Sequence, residues 1–225
     1  MNNIYYYRII FTYMIVIFHF DNGYRIFNCV NERMTFAGYL AVEFFFITSG
    51  FLLYQAVKKK KYSSAIDYTI GRYKKLYSKY LLAFIAVFIA VCYHKKNLLE
   101  PLPLLWDSKW EILLLQSLDF HRGWNMINPT LWYISVLIIV GCFLYFAIDK
   151  MERFFFCILG PVIIIGLTLF FWFNLGKLDA VIDYPLFRGL LEMTIGIYGA
   201  KLNEFIQEKK PGLEKWNIDI PAFCG

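Results

Sequence analysis

The chain has 225 residues, of which 59% are hydrophobic, 20% aromatic and only 18% charged, and its mean hydropathy is +0.49. Soluble domains carry about a quarter charged residues, and a chain of this length has too small an interior to hide so much apolar surface from water. The composition excludes a soluble globular domain, and the net charge of +6 is read by its position along the chain; it marks membrane topology rather than a nucleic-acid surface, so no nucleic-acid partner is expected.

A helix needs roughly 20 apolar residues to cross the hydrocarbon core. Such runs occur at Ile4–Phe20, Tyr39–Val57, Leu76–Tyr93, Leu131–Ile148, Phe154–Leu175 and Leu186–Leu202. All are read as helices, because an open sheet leaves backbone groups unbonded in lipid. The predicted class is an all-α, polytopic transmembrane bundle of about six spans, with residues 1–202 as the membrane domain and 203–225 as a short cytoplasmic tail. The first run lacks a small-x-small cleavage site and is expected to stay in the mature chain. The five cysteines are scattered without a C-x-x-C, and neither a disulfide framework nor a metal site is expected.

Lys58, Lys59, Lys60, Lys61, Arg72, Lys74 and Lys75 crowd the connection between the second and third runs, and positive loops stay cytoplasmic. The N-terminus and residues 149–153 are then inside, while 21–38, 94–130 and 176–185 are outside. The long outer segment holds Trp106, Trp110 and Trp124, residues that favour the membrane interface. Its apolar stretch Trp110–Leu118 is too short to span. The preferred reading is a helix lying along the interface, and the other is a re-entrant lid or wall for an external substrate.

Ionisable side chains inside apolar runs are costly and mark functional candidates. They are Arg8, His19, Glu43, Arg188 and Glu192. Arg8 and His19 are eleven residues apart, which is three turns plus roughly 20°, so they share a helix face with a rise of about 16 Å between them. With Arg8 at the cytoplasmic interface, His19 lies near mid-membrane; the other reading is that His19 ends its span among headgroups. Ser49 and Gly50 follow Glu43 in the second run, and a glycine there lets another helix approach closely. Arg188 and Glu192 are spaced i, i+4 and can pair, in a run that also carries Gly189, Gly196 and Gly199.

Four stretches, in order, resemble the acyltransferase 3 family, multi-spanning membrane enzymes that O-acylate glycans. They are the Arg8…His19 pair, Val42-Glu43-Phe44-Phe45-Phe46-Ile47-Thr48-Ser49-Gly50-Phe51, Arg72-Tyr73-Lys74-Lys75-Leu76-Tyr77-Ser78-Lys79-Tyr80, and Leu131-Trp132-Tyr133-Ile134-Ser135, with a weaker fifth at Phe187-Arg188 through Glu192 and Gly196. Lys75 replaces the second arginine of the family's R-x-x-R, and Ser78 replaces its proline. Members are usually longer, with more spans, so the chain is expected to be a C-terminally truncated member. The resemblance implies transfer of an acyl group, such as acetyl, from acyl-CoA as donor to a hydroxyl of a cell-surface glycan or glycolipid at the cell membrane. It implies catalytic roles for His19 as general base, Arg8 and Glu43, donor binding by Arg72 and Lys75, and substrate binding by Ser49, Trp132, Arg188 and Glu192. The partners implied are membrane lipid and the glycan acceptor, with protein partners unknown; no metal is involved. The rival reading is a non-catalytic remnant or a partner subunit in glycan assembly or transport.

The orientation yields a test. With the five native cysteines replaced, Ser63→Cys should react with a membrane-impermeant maleimide only after cells are opened, and Asn97→Cys should react in intact cells. The reverse pattern would invert the topology.

Overall fold

The computed structural model describes residues 3–24, 32–94, 105–106, 108–118, 127–128, 131–175 and 184–209. All regular structure among the described residues is helical: α1 (Asn3–Tyr24), α2 (Glu32–Lys58), α3 (Ala65–His94), α4 (Lys109–Ile112), α5 (Trp132–Phe154), α6 (Gly160–Leu175) and α7 (Pro185–Lys209), with a 3-10 turn at Gln116–Leu118 and a π turn at Phe155–Leu159. Trp124, and the tail beyond Lys209, lie outside the described residues. The chain is an all-α membrane protein. Among the described residues three helical stretches are long and apolar enough to cross a bilayer: Leu40–Lys58, Ala65–Tyr93 and Trp132–Phe173. The last has 42 residues, about 63 Å if straight and twice the hydrocarbon thickness. It is broken by non-helical dihedrals at Met151 (φ −136°, ψ 42°) and by the π turn, which divide it where two separate spans are predicted. Tyr6–His19 is a shorter apolar helix. The length of α7 matches a membrane's thickness, but Arg188, Glu192, Lys201 and Glu204 keep its composition from identifying it as a span.

The chain divides into two compact units, one of residues 1–61 with 151–225 and one of 62–150. In the first, α1 and α2 are antiparallel. Phe18 packs against Gly38, the Phe11 ring stacks on Phe44 at 4.2 Å, and the Arg8 guanidinium lies over Phe45 at 5.6 Å. Helices α2 and α7 run parallel: Glu43 meets Arg188, Gly50 meets Met193 and Tyr54 meets Glu204. Alternating crossings require that direction for the second and sixth runs. The α2–α7 contact is as close as helices can come, because Gly50 abuts the Met193 carbonyl and Gly196 abuts the Ile47 carbonyl. A side chain on either glycine would occupy the space of the opposite backbone, which is the reason glycine stands at both positions. Antiparallel to α7 lies α6, with Phe170 against Tyr184 and Phe187. At the opposite end of α7, the Tyr198 hydroxyl donates to the Phe156 carbonyl at 2.8 Å, within the π turn; a π turn frees main-chain acceptors in this way.

In the second unit α3 and α5 are antiparallel. Tyr68 stacks on Tyr145 at 4.8 Å beside Gly141, and the Tyr145 hydroxyl donates to the Tyr62 carbonyl. This register sets the start of α5 level with Tyr80, leaving about 20 Å of α3 to run past it. The segment Ser108–Leu118 fills that space. Leu114 and Ile127 join Tyr80, Phe84 and Ile138 in a buried cluster, with Val87, Phe88 and Val91 packed around it. A buried Glu111 accepts from the backbone N–H groups of Ile127 (2.9 Å) and Asn128 (3.0 Å), and the Tyr80 hydroxyl donates to its carbonyl. Gln116 donates to the Leu131 carbonyl, and the Ser117 N–H donates to the Ser135 hydroxyl. Trp106 and Trp110 remain exposed, as expected of interfacial tryptophans. The flat interfacial helix predicted for Trp110–Leu118 is instead a folded pad of two short turns, because Glu111 and Gln116 tie it to the chain before α5 and Ser117 ties it to α5 itself.

The close crossing is testable. Gly50→Ala and Gly196→Ala should each destabilise the detergent-solubilised protein by about 1–3 kcal/mol through overpacking. Gly199→Ala, with nothing within 4 Å, should leave the melting temperature unchanged. Equal effects at all three glycines would disprove the contact.

Candidate active site

The sequence candidates divide between the two units. Arg8, His19, Glu43, Ser49, Arg188 and Glu192 belong to the first, and Arg72, Lys75 and Trp132 belong to the second.

The close approach of α2 and α7 brings together a carboxylate and a guanidinium 145 residues apart in sequence. Arg188 Nη2 donates to Glu43 Oε1 at 3.1 Å, and Arg188 Nε donates to Glu192 Oε1 at 2.7 Å. The i, i+4 pair read from the sequence thus supplies two members of a three-member ionic cluster, and Glu43 is the third. The side chain of Arg188 is 1% exposed, that of Glu192 9% and that of Glu43 30%. Glu192 Oε2 is buried with no hydrogen-bond partner among the described residues. Two carboxylates on one guanidinium leave the cluster one formal negative charge in excess. Only Glu43 is open enough to meet a molecule arriving from outside.

The helix α1 is unbroken from Asn3 to Tyr24, so Arg8 and His19 lie on one stripe with about 16 Å of rise between them. Their level differs from the expected one. With Phe18 opposite Gly38, Arg8 falls opposite Thr48, about 15 Å short of the end of α2 at Lys58. Arg8 is half-buried at mid-height of α2, and His19 is exposed near the level of Gly38. The register is set by Phe11 and Phe18 fitting against α2, which residue spacing within α1 does not encode. Among the described residues His19 makes an edge contact with the Phe18 ring at 5.1 Å and no hydrogen bond to Glu43, Arg188 or Glu192. The side chains of Asp21 and Asn22, which follow His19, lie outside the described residues. Ser49 is half-buried on α2, directly before the glycine that receives α7.

In the second unit the Arg72 guanidinium lies over the Tyr68 ring at 5.7 Å, and its Nε donates to the Tyr68 hydroxyl at 3.3 Å. Tyr68 is itself fixed between Tyr145 and Tyr62, so an aromatic support holds the arginine. Lys75 is exposed, one turn further along α3. Trp132 is half-buried at the start of α5; its carbonyl accepts from the Ser117 hydroxyl, and its ring meets Tyr133 edge-on.

Glu111 was not singled out in the sequence. Its position inside the apolar run Trp110-Glu111-Ile112-Leu113-Leu114-Leu115 is the signal that could have found it. The polar contacts at the far end of α7 were also unforeseen. The Tyr54 hydroxyl donates to Glu204, Lys58 pairs with Glu152 at 2.8 Å, and the Lys201 ammonium lies 3.4 Å from the centre of the Phe156 ring.

A family model described as an acyltransferase domain, that of the acyltransferase 3 family, matches residues 1–216. No curated protein and no solved structure matches the chain.

Removing one partner of a buried ionic cluster leaves uncompensated charge and typically costs about 3–5 kcal/mol, whereas replacing the whole cluster by apolar groups is often neutral. Arg188→Met alone should therefore sharply lower the melting temperature and the yield of folded protein. Adding Glu43→Gln and Glu192→Gln to it should restore most of the loss. A triple variant no better than Arg188→Met would show that the carboxylates do not depend on the guanidinium.

Proposed function

This chain belongs to the acyltransferase 3 family, and from that membership we propose that it moves an acyl group, such as acetyl, from acyl-CoA to a hydroxyl of a cell-surface glycan or glycolipid. It is a membrane acyltransferase. In the proposed reaction the hydroxyl oxygen attacks the thioester carbonyl while His19 takes the hydroxyl proton. The tetrahedral intermediate then expels the coenzyme A thiolate, which receives that proton from the imidazolium. An imidazole suits both transfers because its ordinary pKa lies near neutrality.

The observation that carries this reading is the unbroken α1, which fixes Arg8 and His19 on one stripe about 16 Å apart. That separation is too long for both side chains to serve one carbonyl. It suits two ends of one donor molecule, since coenzyme A holds its diphosphate and its thiol at opposite ends of an extended pantetheine arm. Arg8 then grips phosphate at mid-height of α2, and the thioester reaches the imidazole near Gly38. With the N-terminus cytoplasmic, that path leads outward, toward a glycan on the outer side of the cell membrane. In the second unit Arg72, steadied by Tyr68, and Lys75 supply cationic charge suited to coenzyme A phosphates; Lys75 contributes charge without the arginine fork. Glu43 and Ser49 accept or donate hydrogen bonds to the acceptor.

His19→Ala should lower transfer from radiolabelled acetyl-CoA in membrane vesicles by about 10²–10⁴-fold, the range lost with a general base. The variant should accumulate as wild type does, because the ring is exposed. Undiminished transfer in that variant would defeat the assignment.

A further inference from the structure

Arg188 and Glu192 are too deeply enclosed to act as substrate contacts, yet they hold the one member of their cluster that is open. A guanidinium is a planar fork, so engaging one edge fixes the direction of the other donors. Glu192 takes the Nε edge at 2.7 Å from one turn along the same helix, which leaves Nη2 aimed at Glu43. The α2 and α7 backbones are clamped at Gly50 and Gly196, about two turns from Glu43 and Arg188, so the pair cannot drift apart. The neighbours of Glu43, Phe44 and Phe45, carry Phe11 and Arg8 of α1. Among the described residues Glu43 meets Arg188 of α7 and, through it, Glu192, while Arg8 of α1 lies over the adjacent Phe45.

We propose that Glu192 and Arg188 are positioning residues that hold the Glu43 carboxylate in place for the hydroxyl-bearing acceptor, with Glu192 acting only through Arg188. The proposal rests on the acyltransferase reading for its substrate, but not for the relay itself. A carboxylate held from behind by a guanidinium keeps its second oxygen available to accept a hydrogen bond from a polyol hydroxyl. Without Glu192 the guanidinium loses the contact at its Nε, and Glu43 loses the aim that contact sets.

The test uses the full chain in native membranes, with acetyl-CoA titrated against the endogenous acceptor. Glu192→Ala should lower Vmax roughly tenfold, a loss typical of a small misplacement of a reacting group, and leave KM for acetyl-CoA unchanged. Glu192→Gln, which keeps an acceptor for Nε, should recover much of the rate. In a Glu43→Ala background, Glu192→Ala should have no further effect on the rate. A raised donor KM, or the same fall in Vmax with Glu43 already absent, would overturn the proposal. A second measurement needs no activity: the melting-temperature losses of Glu43→Gln and Glu192→Gln should be non-additive in the double variant, and simple additivity would overturn the relay. If wild-type membranes transfer no acetyl group while the melting losses remain coupled, the acyltransferase reading fails and the relay stands.

Discussion

The first unit depends on the contact between two backbones at Gly50 and Gly196. In lipid no hydrophobic force pushes helices together, because hydrocarbon tails are as apolar as leucine. Association has to come from dispersion at very short range and from polar contacts between helices. Each glycine gives up its side-chain volume to the other helix's main chain, and the gain in packing is accompanied by an electrostatic one. At this spacing the side chain of Glu43 reaches Arg188. A wider crossing would leave a carboxylate and a guanidinium in the apolar layer without each other, at a cost of several kcal/mol per ion.

The same helix, α7, is tied down along its whole length by different chemistry at each level. Ionic contacts to Glu43 hold its beginning, backbone packing holds its middle, and Tyr198, Lys201 and Glu204 hold its end against Phe156 and Tyr54. The low hydropathy of α7 follows from this: it is a helix whose polar residues face protein, and lipid sees little of them. The second unit uses a comparable device on a smaller scale. Glu111 sits in an apolar stretch because its oxygens complete the backbone of Ile127 and Asn128, and a folded pad is thereby secured beside α3 without a span of its own.

Much of this was legible in the residues. The helical class followed from apolar runs of the right length, the Arg8–His19 stripe from a spacing close to whole turns, and the Arg188–Glu192 pair from i, i+4. The close approach at Gly50 followed from a glycine set in a bulky apolar run. What stayed hidden shares one property: it depends on which helix lies beside which, and at what height. Glu43 declares that it needs a partner, but nothing local says that the partner is 145 residues away. The fit of Phe11 and Phe18 against α2 slides α1 so that His19 sits near Gly38 and Arg8 at mid-height, and a periodicity within α1 is the same at any offset. Glu111 was hidden by its place in an outer segment, where an acid looks solvated. The division of the long apolar stretch at Met151 was readable from the Asp149–Arg153 charges; the wide turn after it, which gives Tyr198 its acceptor, was not.

The distance in sequence between Glu43 and Arg188 has a consequence for how the protein is made. Ribosomes add about 5–20 residues per second, so roughly 10–30 seconds separate the synthesis of the carboxylate from that of its guanidinium. Throughout that interval α2 has entered, or is waiting to enter, the bilayer without the helix that compensates its charge. The nascent chain must keep α2 at the wet side of the insertion machinery, or otherwise shelter its carboxylate, until α7 emerges. The parallel, glycine-sealed helix pair can thus close only after α7 is made, and a chain arrested before Arg188 is translated holds a carboxylate without its guanidinium.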